Sequence, residues 1–280
     1  MIKLIATDLD GTFLTKEHTY DKTLFAKVLD KCEDRGILFT VASGRPMLSV
    51  QRLFSDVLSR IAIIAENGSV VSYKGKVISE HFMSPEQYLA VAEQLENLSD
   101  CHGYLLSGRV GAYAPLNTRD VYFNRVSEFY EKTQKMDLTQ ITDDIYKLTA
   151  QFSDDLILEH SRALTDKNSS LSAVVTGFGG MDIILDGITA VVTGFGGMDI
   201  ILDGITKATG LEDLCHFLGL NVSEVIAFGD NFNDAEMLSF AGTAVATANA
   251  REGIKEIADK VIGSCEDGAV LTYLEGMLNE

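Results

Sequence analysis

The stretch Ile2-Lys3-Leu4-Ile5-Ala6-Thr7-Asp8-Leu9-Asp10-Gly11-Thr12 decides the fold. Ile2, Leu4, Ile5 and Ala6 form a short apolar run, the pattern of a strand covered on both faces of a parallel sheet. Two carboxylates follow, two residues apart, and then a glycine that permits a tight turn. Open α/β sheets bind ligands outside the carboxyl ends of their strands, so Asp8 and Asp10 stand where chemistry would sit. Taken alone, two acids in a turn are equally a solvated strand end. The rest of the chain has to separate the two readings.

Working outward, residues 21–35 carry Leu24, Phe25, Val28 and Leu29 at helical spacing, with Gly36 as a cap. A second apolar run, 37–41, ends in Ala42-Ser43-Gly44-Arg45-Pro46, and the spacing predicts a helix over 47–58. A third run, 61–65, ends in Glu66-Asn67-Gly68, and the alternation of strand and helix is that of a parallel sheet. Residues 70–73 and 76–79 read as a hairpin around Lys74-Gly75, and 84–98 as a helix with Ser84 as cap and Pro85 at its first position. From there to about residue 205 short β runs such as 103–106 mix with polar helical stretches, including 121–135.

The α/β pattern resumes with a helix at 207–218 and a strand at 225–228, which ends in Gly229-Asp230-Asn231-Phe232-Asn233-Asp234. Helices at 235–240, 251–259 and 267–278 and strands at 243–246 and 260–262 complete the chain. The expected architecture is α/β: a Rossmann-like parallel-sheet core from residues 1–82 and 207–280, with an α+β cap domain inserted at 83–206.

One internal repeat lies inside that insertion. Residues 173–189 (AVVTGFGGMDIILDGIT) are followed at once by an identical copy, 190–206. Each copy reads as two β runs around Gly-Phe-Gly-Gly, and a hairpin turn fits better than a phosphate loop, because strand residues follow rather than a helix. A recent duplication is expected, in which the copy adjoining Lys207 keeps the original structural role and the other is extra.

The formal net charge of −18 argues against nucleic acid and against anionic lipid as partners. No run reaches the length of a membrane helix and no secretory leader is evident at the start, so a cytoplasmic location is expected. The four cysteines, Cys32, Cys101, Cys215 and Cys265, are scattered and read as reduced thiols. His81, His102, His160 and His216 have no metal-ligand spacing to one another.

Four loops remain: Asp8/Asp10, Ser43-Gly44-Arg45, Lys207, and Asp230/Asn233/Asp234. Singly, each is ordinary loop or helix-start chemistry. Together, several carboxylates need a hard cation such as Mg²⁺, while a hydroxyl, loop N–H groups and an ammonium suit an incoming phosphoryl group. The reaction class that follows is Mg²⁺-assisted phosphoryl transfer with a carboxylate as nucleophile.

The motifs Asp8-Leu9-Asp10-Gly11-Thr12, Ser43-Gly44-Arg45, Lys207 and Gly229-Asp230-x-x-Asn233-Asp234 resemble, in order, the four motifs of the haloacid dehalogenase superfamily. Glu66-Asn67-Gly68, Met237-Leu238, Asn249-Ala250 and Glu266-Asp267-Gly268-Ala269 narrow the resemblance to its Cof-type phosphatases with a C2 (type IIB) cap. The resemblance implies a phosphatase acting on small phosphorylated metabolites, sugar phosphates above all, through an aspartyl-phosphate. It implies Asp8 as nucleophile and Asp10 as general acid/base. Leu9 and Gly44 (through their amides), Ser43, Lys207 and Asn233 would bind the phosphoryl group. Asp8, the Asp10 carbonyl, Asp230 and Asp234 would serve Mg²⁺. Arg45 is outside the implied catalytic set, either holding its loop or touching substrate. Two other functions share these motifs: a phosphotransferase or phosphosugar mutase of the same superfamily, and a non-catalytic module that binds phosphometabolites. The paired Asp8 and Asp10 disfavour the module, which needs no nucleophile.

Overall fold

The computed structural model describes residues 1–153, 159–160, 171–176 and 197–279, the strand at 171–176 by its backbone. The chain divides into two compact units, one of residues 1–45, 54–80 and 206–280, the other of 46–53 and 81–205.

The first unit is an eight-stranded sheet. Its strands are β1 (Leu4–Thr7), β2 (Leu38–Ala42), β3 (Ile61–Ala65), β4 (Val70–Tyr73) and β5 (Lys76–Glu80), with β12 (Val225–Gly229), β13 (Thr243–Ala246) and β14 (Lys260–Val261) from the later segment. Their order is β14-β13-β12-β1-β2-β3-β4-β5, and every strand runs the same way except β4, which is antiparallel to both β3 and β5. Leu4, Ile5, Ala6 and Thr7 are all fully buried, as a strand covered on both faces demands. The sheet order reverses direction between β1 and β12, and that crevice is where a ligand site forms in such folds.

On one face Leu4, Ala6, Ile64 and Val225 pack with Leu211, Leu214 and Met237, from helices at Lys207–Leu218 and Ala235–Phe240. Elsewhere Phe13, Tyr20, Phe25, Phe39 and Phe54 form an aromatic cluster with centroids 4.9–6.1 Å apart. Phe54 explains a departure from the expected helix over 47–58. The helix stops at Leu53, and turns at Val57 and Arg60 replace it once the Phe54 ring is seated against Tyr20 and Phe25.

The second unit holds a six-stranded sheet in the order β10-β11-β9-β6-β7-β8. These strands are β6 (Gly103–Gly108), β7 (Ala112–Pro115), β8 (Thr133–Met136), β9 (Ile145–Gln151), β10 (Leu171–Thr176) and β11 (Gly197–Leu202). The helix Pro85–Glu96, closed by a Ser84–Gln87 capping box, packs Tyr88, Val91 and Leu95 against Tyr104, Leu106, Leu148 and Met198. The stretch expected as one polar helix over 121–135 is a helix over Asp120–Val126 and then β8, with Lys132 in the left-handed region (φ 51°) between them. Pairing of Thr133–Met136 alongside Ala112–Pro115 overrides the helical polarity pattern there.

The repeat also folds differently from expectation. The Ala-Val-Val-Thr of the first copy lies in β10 and the Met-Asp-Ile-Ile-Leu of the second in β11, antiparallel, with Val174 opposite Asp199. Each copy thus supplies half of one hairpin, so the copy adjoining Lys207 does not keep the whole role. Lengthening a loop adds little to its closure entropy, so the longer connection is tolerated. The second run of the first copy, the first run of the second copy and the two Gly-Phe-Gly segments lie outside the described residues.

Candidate active site

Each acidic motif is placed by a strand end and fixed by backbone chemistry. After β1 the chain turns at Gly11, whose φ of 89° suits glycine. A Cβ there would stand 2.3 Å from Asp230 Oδ2, so the absence of a side chain lets the first loop close on the fourth. Asn249 Nδ2 donates to the Gly11 carbonyl at 2.7 Å, and Thr12 Oγ1 donates to Asp230 Oδ1 at 2.8 Å. The loop after β12 is folded around Asp234. Its Oδ2 accepts from the Asp230 and Asn231 amides at 3.0 and 3.1 Å, and its Oδ1 accepts from Lys207 Nζ at 2.7 Å. Asn233 sits half-buried in the same turn.

Lys207 opens its helix. The Thr206 hydroxyl accepts from the Ala208 and Thr209 amides while the Thr209 hydroxyl accepts from the Thr206 amide, which fixes the helix start. An ammonium at a helix N-terminus is unfavourable by the helix dipole. Here two carboxylates outweigh it: Lys207 Nζ lies 2.6 Å from Asp8 Oδ1 and 2.7 Å from Asp234 Oδ1, with all three side chains buried.

The Ser43 loop is tied in through Glu66-Asn67-Gly68. Ser43 Oγ accepts from the Arg45 amide at 3.1 Å, the Ser43 carbonyl accepts from the Asn67 amide at 3.2 Å, and the Arg45 carbonyl from the Glu66 amide at 3.0 Å. Glu66, Asn67 and Gly68 are consecutive left-handed residues, with φ of 53°, 57° and 108°. A Cβ on Gly68 would fall 2.0 Å from the Thr206 carbonyl, so this turn brings the Ser43 loop and the start of the Lys207 helix together.

Asp8, Asp230 and Asp234 each offer a carboxylate oxygen within 4.8 Å of the others. Burial pushes the Asp8 carboxyl well up, against the pull of Lys207. Burial, and then the Asp234 charge, push Asp230 up to about 7. Burial works against the Lys207 charge, but Asp234 and Asp8 hold its pKa above the ordinary value. Three carboxylates against one ammonium is a donor set that calls for a further cation, and oxygen donors suit a hard one such as Mg²⁺. Asp10 is different. Its side chain reaches solvent at one edge, and although desolvation by the surrounding loops raises its pKa, contacts from His18 and Arg45 outweigh this and hold its carboxyl well below the usual range.

The structure therefore gathers Asp8, Asp230, Asp234 and Lys207 into one cluster and places Asp10 beside it in the same turn, with Leu9 between, its side chain buried. It adds three residues to which the sequence gives no role at the site, Thr12 on Asp230, Asn67 over Gly44 and His18 on Asp10, and it places Arg45, left open between loop and substrate, on Asp10. Thr12, Arg45 and Asn67 lie inside the motifs quoted above, which was the available signal; for His18 there was none.

Sequence and fold both place the chain in a known enzyme class. The profile of the haloacid dehalogenase-like hydrolases matches residues 5–274, and the chain belongs to that family. It is 31% identical over 279 residues, 99% of this chain and 96% of the relative, to the 5-amino-6-(5-phospho-D-ribitylamino)uracil phosphatase YbjI of Escherichia coli (strain K12). Its fold superposes with a TM-score of 0.88 on SMU.1108c from Streptococcus mutans UA159, at 26% identity and full coverage of both chains. The fold is also shared with a subclass IIB sugar phosphatase of the superfamily, BT4131, at a TM-score of 0.78 and 18% identity over 98% of each chain.

Proposed function

We propose that this phosphatase-family enzyme hydrolyses small phosphorylated metabolites, with polyol and sugar phosphates as the favoured class, through a phosphoryl group carried on Asp8. The observation that carries the reading is Asp8 itself: a buried carboxylate 2.6 Å from a buried ammonium, with Asp230 and Asp234 beside it. The ribityl phosphate in the name of the Escherichia coli relative supports the substrate class.

In the first half-reaction an Asp8 oxygen attacks phosphorus, the bond from phosphorus to the ester oxygen breaks, and Asp10, which must first take up a proton from solvent because His18 and Arg45 hold it as a carboxylate, delivers that proton to the leaving oxygen. In the second, Asp10 takes a proton from water as the water oxygen attacks phosphorus, and the Asp8–phosphorus bond breaks to release inorganic phosphate. Lys207 holds Asp8 in place and offsets phosphoryl charge, and Asp234 holds Lys207. Ser43, the Gly44 and Leu9 amides and Asn233 receive phosphoryl oxygens. Asp8, the Asp10 carbonyl and Asp230 would hold Mg²⁺, with Asp234, whose oxygens already accept from Lys207 and two amides, supporting from behind. The cation, when bound, stabilises charge on the transferring group. Phosphate release from aryl and sugar phosphates, with Mg²⁺ or with chelator, tests this. Release that needs Mg²⁺ is expected, and release undiminished by chelator overturns the metal assignment. Among the described residues no helix is long and apolar enough to cross a membrane.

A further inference from the structure

Both oxygens of Asp10 are held by one residue. Arg45 Nε donates to Oδ2 at 2.7 Å and Nη2 donates to Oδ1 at 2.5 Å, a two-pronged fork. His18 Nδ1 lies 2.9 Å from Arg45 Nη2 and 3.1 Å from Asp10 Oδ1; a guanidinium only donates, so in the tautomer whose Nδ1 carries no hydrogen Nη2 gives its second hydrogen to His18. His18 is held for this contact. It sits at a left-handed φ of 56° in a loop closed by the Thr15 amide on the Thr19 carbonyl. Phe13 and Tyr20, on either side of that loop, are anchored in the aromatic cluster.

Exposure shows which part of a substrate would meet these groups. The Asp8 side chain is 7% exposed, whereas Arg45 is 21%, Asp10 39% and His18 56% exposed. A phosphoryl group directed to Asp8 leaves the alcohol half of the ester on the open side, beside Arg45. Asp10 must turn one oxygen to that ester, and the fork holds both toward the guanidinium.

Resting on the phosphatase reading above, we propose that Arg45, seated by His18, is the leaving-group subsite and selects esters with an acceptor oxygen on the carbon next to the scissile C–O bond. That oxygen replaces Asp10 as partner of the guanidinium, and the exchange frees Asp10 for the ester. Hydrogen bonds are conserved, since each N–H that leaves the carboxylate gains the substrate oxygen. An ester without a neighbouring oxygen offers no such exchange. The substrate class is therefore phosphate esters of vicinal diols or of 2-hydroxy acids. His18 is a positioning residue here, acting through Arg45.

The test compares two alkyl phosphates of similar size, glycerol 3-phosphate and n-propyl phosphate, with Mg²⁺ present. The native enzyme is expected to favour the glycerol ester by at least about tenfold in kcat/KM, the discrimination that a lost polar contact brings. Arg45→Ala should collapse that ratio to within about threefold, and Arg45→Lys, which keeps one charged donor, should retain part of it. His18→Ala should lower the ratio about threefold, and His18→Gln, which keeps an acceptor, should restore it. Thermal melting of each variant separates a folding defect from a lost subsite. An unchanged ratio in folded Arg45→Ala, or no preference in the native enzyme, overturns the subsite while phosphate release still upholds the phosphatase. No Mg²⁺-dependent release from any ester by the native enzyme overturns both.

Discussion

Among the described residues two buried lysines pair with aspartates, and the contrast between them separates a site from a support. In the second unit Lys147 Nζ donates to Asp199 Oδ2 at 2.7 Å, and Thr149 Oγ1 donates to Asp199 Oδ1 at 2.6 Å. Lys147 and Thr149 alternate along β9, and Asp199 of β11 stands opposite Thr149, so one face of a regular antiparallel sheet brings the three together. Among the described residues, one positive charge there meets one negative charge. In the first unit Lys207 meets two carboxylates from loops at different strand ends, and a third stands within 4.8 Å. Charge paired on one face of a sheet braces that sheet, whereas unbalanced negative charge at strand ends invites a cation and an electrophile.

The largest expected effect falls on the unbalanced cluster. Asp8→Asn should lower phosphate release by roughly 10³-fold or more while circular dichroism shows the fold intact. Retained turnover would refute the covalent route, provided mass spectrometry shows that the asparagine has not deamidated. Lys207→Met should lower kcat by roughly 10²-fold or more, as loss of a preorganised electrostatic partner does. Lys147→Met should act the other way round. It strands a buried carboxylate at a cost of about 3–5 kcal/mol in stability, with kcat per folded molecule retained. Lys147→Met with Asp199→Leu should recover most of that stability, because a buried ion pair is readily replaced by apolar groups. A loss of kcat in folded Lys147→Met would break the contrast.

The metal sharpens it further. Asp230 is pushed up to about 7 from an ordinary 3.8 by burial and by Asp234. Between those values the metal-free folded protein keeps a proton that the unfolded chain has released. Stability in chelator should therefore fall as pH rises from about 4 to about 7. Asp10 has the opposite sign, since its contacts with His18 and Arg45 lower its pKa, and its contribution is lost as pH falls below the ordinary carboxylate range. Saturating Mg²⁺ should flatten the Asp230 dependence and raise stability by about 2–3 kcal/mol at a hundredfold excess over Kd. Melting curves across pH, with chelator and with Mg²⁺, read this directly, and Asp230→Ala should abolish the Mg²⁺ increment.

How much of this was legible follows the same divide. The strand ends after Ile2–Ala6, 37–41 and 225–228 could be read because apolar runs and turn residues are local signals, and they carried Asp8, Ser43 and Asp230 with them. Lys207 was legible through motif order alone, since a lysine at a helix start carries no signal of its own. Contacts between loops were not legible. Nothing in Lys16-Glu17-His18-Thr19 announces that Arg45, 27 residues on, will reach the imidazole, because the aromatic cluster places that loop. The helix expected over 121–135 failed for a related reason: pairing with β7, a long-range contact, claims Thr133–Met136.

The smallest expected effect concerns the repeat, where the contrast is between two copies of one sequence. β10 uses the first half of one copy and β11 the second half of the other, so residues 177–196 connect Thr176 to Gly197. Deleting residues 177–193 would join the same two strands through Gly194-Phe195-Gly196, leaving every paired residue in place. Closing the shorter loop costs less entropy, by about 1–2 kcal/mol on a logarithmic dependence on loop length. The shortened protein should melt a few degrees higher at unchanged kcat, because Thr206 and Lys207, which fix the start of the active-site helix, stay as they are. A fall in stability would mean that the second copy holds contacts of its own, and that duplication has added structure rather than length.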